Sequence, residues 1–365
     1  MALWLSVVSG LVAMAVCAAA GPLMLATGQE PHIAALAEEY MQVLLLSMIP
    51  MIVSGVLRTF VSTLGRPVFA TVITGLGILV NAAGNYAFIF GNWGAPALGL
   101  QGAAMATLVT SFAIVVAYVV AIRLDPRLHR YHIFGFFWRF DRQRMVDLLR
   151  IGTPIALTIV AEAGIFGAAA FLVGRVDAVQ LAAHTVALQI VALAFQVPFG
   201  VSQAATIRVG YFLGARDSLG MARAGWTGIV MGTGFMALTA CVLLAAPEYL
   251  LAIYIDPWAP ENAALIGFAL SFLLVGAAFQ LVDGLQVVAA GALRGLKDTR
   301  VPMWIAIFSY WVPGFGLAAG LGLGTDMGGL GVWIGLATGL VFSAFLLIHR
   351  WIRREALGLT RPGIA

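Results

Sequence analysis

The sequence predicts an all-α polytopic membrane protein of about ten transmembrane helices, built as two pseudo-repeated helical bundles. Three observations carry this reading. First, 62% of the 365 residues are hydrophobic and only 10% are charged. A soluble domain is about 25% charged, so the surplus apolar surface has to face lipid. Second, the apolar residues form continuous runs of about 20, the length a helix needs to cross a ~30 Å hydrocarbon core; strands of a membrane barrel would alternate instead. Third, 19 of the 20 Lys and Arg fall in alternate links between those runs. This composition excludes a soluble enzyme, a disordered chain and a nucleic-acid binder, despite a net charge of +4.

The runs lie at about 3–26, 40–60, 68–90, 102–122, 151–174, 179–206, 224–246, 263–291, 301–322 and 328–348. The first has no Lys or Arg ahead of it, so it reads as a span and not as a signal peptide. Pro22, Pro50, Pro154, Pro198 and Pro313 interrupt spans and mark places where a helix bends. Trp93, Trp258 and Trp351 flank spans and read as interface anchors. Cys17 and Cys241 lie within apolar runs, without metal-like spacing, and read as packing residues.

Charge then orients the spans. Residues 58–66, 123–150, 208–223, 294–300 and 349–365 hold the 19 cations, and the opposite side holds only Arg175. The positive-inside rule places those links and both termini in the cytoplasm, and the opposite loops carry Glu30, Asp177, Glu248, Asp256, Glu261 and Asp326. The basic stretch 123–150 is expected to form a juxtamembrane helix on anionic lipid. No phosphate-binding loop of the Walker type occurs in the chain.

An internal repeat organises the whole. Leu57-Arg58, Pro67 and Gly99-Leu100-Gln101-Gly102 are followed, at offsets of 236, 235 and about 229, by Leu293-Arg294, Pro302 and Gly329-Leu330-Gly331. Repeats of this kind are the usual build of secondary transporters. The expected organisation is a partial first bundle of four helices (1–123), a basic cytoplasmic linker (124–150), a second, six-helix bundle (151–348) and a basic cytoplasmic tail (349–365). Six plus six helices with the first two absent is the plan this suggests.

Polar residues inside spans are the functional candidates. Glu162 and Asp283 lie well within apolar runs, where an ionisable group is costly and by default functional. Removing a carboxylate from water favours its protonated form, the chemistry a proton-coupled carrier needs; sodium competes for the same oxygens. Gln280 and Gln286 neighbour Asp283 on the helix surface. Gln189, Gln196 and Gln203 repeat every seven residues on one face, either lining a cavity with Glu162 or acting as packing glue. Asn81, Asn85 and Thr107 suggest a second polar pocket in the first bundle. His184 reads as a hydrogen-bonded packing residue rather than a proton relay.

The stretches GRPVFATVITGLGILVNAAGNYAFIFGNWGAPALGLQGAAMAT (65–107), AAHTVALQIVALAFQVPFGVSQAATIRVGYFLG (182–214) and FQLVDGLQVVAAGALRGLKDTRVPMWIAIFSYW (279–311) resemble the multidrug and toxic compound extrusion (MATE) family, in its NorM-type branch. The resemblance covers nearly the whole chain. It implies two six-helix bundles in a V-shaped arrangement that export organic cations by antiport against H+ or Na+. By the same resemblance Glu162 and Asp283 fall at the cation-coupling carboxylates, holding Na+ only if coupling is to sodium. Phe279 stands where such proteins often have a coordinating tyrosine, and Asn81, Asn85 and Thr107 resemble the first-bundle polar site. The family's acidic residue for that site lies on a helix that precedes this sequence's first span.

The expected function is therefore multidrug efflux in the cytoplasmic (inner) membrane, by a monomer without a cofactor and without enzyme activity. Small organic cations and the lipid bilayer are the expected partners. Two rivals stand beside it. A lipid-linked saccharide flippase of related architecture would require cavity cations, and no Lys or Arg lies in mid-span. A non-transporting truncated fragment is the other.

Overall fold

The computed structural model describes residues 1–26, 30–135 and 140–360. Residues 136–139 of the basic linker and 361–365 of the tail therefore lie outside the described residues. Among those described, nine helices are long and apolar enough to cross a membrane, or ten if one bent pair counts as a single span. The chain forms two units, Met1–Leu149 and Arg150–Ala365.

In the first unit the bent pair is α1 (Ala2–Ala18) and α2 (Ala20–Ala26), which meet at 52°. Pro22 explains the break, because its ring displaces the carbonyl four residues back and it brings no N–H. Helix α3 (Pro31–Leu44) passes through a 3₁₀ turn, Leu45–Ser47, into α4 (Met48–Thr63), with Pro50 just beyond the turn. Next come α5 (Pro67–Phe90), α6 (Leu100–Leu124) and the single turn α7 (Pro126–His129). Leu57, Val61, Ile73, Tyr118, Ile122 and Leu128 form the core here. At one end Asp125 caps α7 through Arg127 N (2.8 Å) and pairs with Arg66 Nε at 3.0 Å.

Helix α8 (Arg142–Val176) leads into the second unit. It is followed by α9 (Ala178–Gly214), α10 (Ser218–Ala245), the short α11 (Pro247–Leu251) and α12 (Ala263–Gly295). The chain ends with α13 (Arg300–Ser309), a π turn (Tyr310–Gly314), α14 (Phe315–Gly324) and α15 (Gly329–Ile352). Helix α12 is the hub, packed on α9, α10 and α15. Small residues allow the approach, as membrane helices without a hydrophobic driving force require. Ser202 Oγ and Thr206 Oγ1 of α9 donate to the carbonyls of Val287 and Gly291 on α12, at 2.7 and 2.8 Å.

The internal repeat is visible in the backbone. Gly99 (φ 53, ψ −121) and Gly328 (φ 53, ψ −130) open α6 and α15 in the same left-handed conformation. Three residues on, Gly102 and Gly331 each lie against the backbone of the preceding helix, where a Cβ would collide with Phe88 and Leu321. At the other end of the motif, Gly65 (φ 77) and Lys297 (φ 62) both close a helix, with Arg66 N bonded to Val61 O and Asp298 N to Leu293 O. That pairing corrects the sequence register. Matched by these turns, the counterpart of Arg58 falls one helical turn before Arg294.

Three further expectations change. Residues 142–150 of the linker run straight on into α8, a helix of about 50 Å at 1.5 Å per residue, and do not form a separate juxtamembrane helix. Trp351 is fully buried, packed on Gly225 with the Arg354 guanidinium 4.6 Å from its ring centre, so it is a core residue and no interface anchor; Trp93 and Trp258 are exposed. Cys241 is exposed on the unit's surface, and both cysteines are free.

Candidate functional site: an enclosed carboxylate cluster

Three-residue steps along α12 keep Gln280, Asp283 and Gln286 on one side of the helix, and all three are buried, with Asp283 only 4% exposed. Thr239 Oγ1 of α10 donates to Gln280 Oε1 at 2.7 Å, which leaves the Gln280 Nε2 group buried without a hydrogen-bond partner. Gln286 Nε2 donates to the Tyr310 hydroxyl at 2.7 Å, and here the Oε1 acceptor is left over. Ser343 on α15 is buried, with its hydroxyl left without a hydrogen-bond partner. Glu162, from α8, is an electrostatic neighbour of Asp283 and Tyr310, and also of Arg294 in the last turn of α12.

The result is a polar site enclosed by α8, α10, α12, the π turn and α15. Neither carboxylate has an ion-pair partner within 4.0 Å among the described residues. Asp283 is buried and Glu162 half-buried, and Arg294 offsets one of the two charges, so a proton or a further cation is what balances the other. A spare amide oxygen and a hydroxyl stand next to them, and oxygen is the donor a hard cation takes. Among the described residues no group of three or more His, Cys, Asp or Glu that could hold a metal ion occurs.

The remaining sequence candidates fall elsewhere. Gln189, Gln196 and Gln203 share a face of α9, but that face is exposed, so they do not line the enclosed site with Glu162. Phe279 is buried and stacked on Trp333 (centroids 5.6 Å apart), which Phe272 covers from another side at 5.5 Å. It belongs to an aromatic core rather than to a cavity wall. His184 is buried and its Nδ1 accepts from Trp333 Nε1 at 3.1 Å, a packing bond. In the first unit, Asn85 Nδ2 donates to Asn81 Oδ1 (3.1 Å), Asn81 Nδ2 to Thr110 Oγ1 (3.3 Å), and Thr110 Oγ1 to the Ala106 carbonyl (2.7 Å). Thr107 bonds the Ala103 carbonyl of its own helix, so Thr110 takes the place expected for Thr107.

Sequence reasoning missed Thr239, Tyr310, Ser343 and the inward reach of Arg294. Tyr310 had a signal, a phenol three residues before Pro313 in an otherwise apolar span. By sequence Arg294 falls among the cytoplasmic cations, although α12 runs through it.

Apolar helices of spanning length in two repeat-related units, with a carboxylate pair enclosed in one, define a polytopic membrane protein of the secondary-transporter class. The MatE family profile matches residues 1–87 and 154–319, and this chain belongs to that family. A probable multidrug resistance protein NorM of Mesorhizobium japonicum is 43% identical over 97% of this chain and 76% of its own length. The multidrug resistance protein NorM of Burkholderia vietnamiensis is 37% identical over 98% and 77%. The fold matches the outward-facing conformation of a multidrug resistance MATE family transporter of the MOP superfamily with a TM-score of 0.87 at 21% identity, covering 98% of this chain and 78% of that one. A eukaryotic MATE transporter matches with a TM-score of 0.86 at 18% identity, over 98% and 79%.

Proposed function

We propose that this protein carries out multidrug efflux, exporting organic cations by antiport against H+ or Na+, with Glu162 and Asp283 as the cation-coupling pair. The observation that carries the coupling role is the pair itself, two carboxylates facing the single Arg294 cation, with the uncommitted Gln286 oxygen and the Tyr310 hydroxyl in the same cluster. A proton on one carboxylate, or a sodium ion held by both with the Gln286 oxygen, balances the site. Loss of that charge leaves two anions that repel in a poorly hydrated space. The site then has two electrostatic states, which is what an antiporter couples to substrate.

The exposed Gln189, Gln196 and Gln203 face supports a wet surface along α9, because lipid gives amide groups no partners. These residues, with Asn81 and Asn85, are the proposed contacts for an organic cation. The proposed setting is the cytoplasmic membrane, with the protein as a monomer; the charge distribution supports both termini lying in the cytoplasm.

Everted membrane vesicles test the reading. With a proton gradient imposed, ethidium should collapse the pH difference for the native chain and not for Glu162→Gln or Asp283→Asn, at equal membrane insertion. A sodium gradient run in parallel identifies the ion. Full activity in both variants under both gradients sinks the assignment of the pair.

A further inference from the structure

One cavity of the second unit is unrelated to the carboxylate cluster. It is an open groove of about 540 Å³ between α9 and α10, on the basic side of the second unit. Its lining includes the small residues Ala204, Ala205, Ala224 and Gly228, and Val201 and Met231 line the end away from the cations. At the other end stand Arg208 and Arg223, both exposed, and neither forms an ion pair with a carboxylate within 4.0 Å among the described residues. The Arg208 guanidinium lies 5.3 Å from the Phe212 ring centre, which holds it over the groove mouth. Asp217 also lines the mouth, where it caps α10 by accepting from Gly220 N at 2.8 Å; its single charge against two guanidinium groups leaves the mouth net positive.

Length discriminates between occupants. Val201 lies seven residues before Arg208 on α9 and Met231 eight residues after Arg223 on α10. At 1.5 Å per residue both walls run ~10–12 Å from the cations into the apolar layer, within the ~15 Å of a single leaflet. A free phosphate would fill only the mouth, and a neutral hydrocarbon would leave both guanidinium groups without a partner. A charged headgroup with an acyl chain attached satisfies both ends.

We propose that this groove is a binding site for an anionic phospholipid of the leaflet on the basic side, its phosphate held by Arg208 and Arg223 and one acyl chain seated between α9 and α10. Arg is suited to this because its planar fork meets phosphate through two parallel hydrogen bonds. The proposal stands independently of the coupling assignment above, since none of these residues touches the carboxylate cluster.

The test is native mass spectrometry of the full chain in detergent, with phosphatidylglycerol, phosphatidylcholine or inorganic phosphate added. Phosphatidylglycerol should be retained at least about fivefold better than phosphatidylcholine, and Arg208→Gln/Arg223→Gln should reduce it to the phosphatidylcholine level. Ala204→Trp fills the groove from an exposed position without altering charge and should lower phosphatidylglycerol retention by a similar factor. Equal retention of the two lipids, or phosphatidylglycerol binding that both variants leave unchanged, overturns the proposal. So does full displacement of the lipid by inorganic phosphate at equal concentration, which would reduce the site to an anion-binding mouth.

Discussion

The pair α5–α6 in the first unit and the pair α13/α14–α15 in the second share their joint but treat polar groups in opposite ways. In each, a glycine at φ 53 opens the later helix and a second glycine lets two backbones touch. In the first unit the chain Asn85–Asn81–Thr110 passes its hydrogen bonds on to a backbone carbonyl and these three groups finish paired. In the second, Pro313 sits in a π turn, and the Tyr310 hydroxyl meets Gln286, whose other amide atom remains unpaired near Asp283. One extra residue in the hydrogen-bond ladder thus separates a completed strut from an unfinished polar site, and π turns recur at functional positions for this reason.

The comparison can be broken most severely at the shared glycines. Gly102→Val and Gly331→Val force side-chain atoms into backbone and should each cost ~3 kcal/mol or more, read as a large fall in melting temperature in detergent. A mild effect at either position would mean that the two joints are not equivalent. Next in size is the contrast between the polar groups. Tyr310→Phe leaves the buried Gln286 amide without its acceptor and should cost about 2 kcal/mol. Asn81→Ala should cost only about 0.6 kcal/mol, the average for an interhelical hydrogen bond in a membrane protein. Equal losses would contradict the distinction between a strut and a site. The smallest effect concerns the paired helix ends. Lys297→Gly relieves a left-handed lysine and should stabilise by up to about 1 kcal/mol, whereas Gly65→Ala should destabilise by about as much.

What the sequence made legible follows from the range over which each signal acts. Spans are local and statistical, and charge asymmetry summed over many links is hard to misread, so the helical membrane class needed no tertiary knowledge. Glu162 and Asp283 stood out because a carboxylate in an apolar run is conspicuous alone. Partnership is different. Whether Thr107 or Thr110 meets Asn81 depends on helix rotation by a fraction of a turn. The burial of Trp351 depends on Gly225, more than a hundred residues earlier. The seven-residue spacing places Gln189, Gln196 and Gln203 on one face, and all three are exposed, but spacing cannot say what that face looks at. The register of the repeat slipped for a similar reason. A shared Leu-Arg pair is a weaker marker than the left-handed residue that ends each helix, and at Lys297 that residue is not a glycine.

The link between α9 and α15 carries a mechanical consequence. Gln180 Oε1 accepts from Gly329 N at 2.7 Å, and His184 Nδ1 accepts from Trp333 Nε1 at 3.1 Å, so two contacts four residues apart on one helix meet two contacts four residues apart on the other. Like a pair of gear teeth, they admit only one engagement. Sliding of α15 along α9 by less than a full turn disengages both teeth at once, and nothing in between is favoured. Any motion that passes through these helix starts therefore moves them together or switches them in a single step.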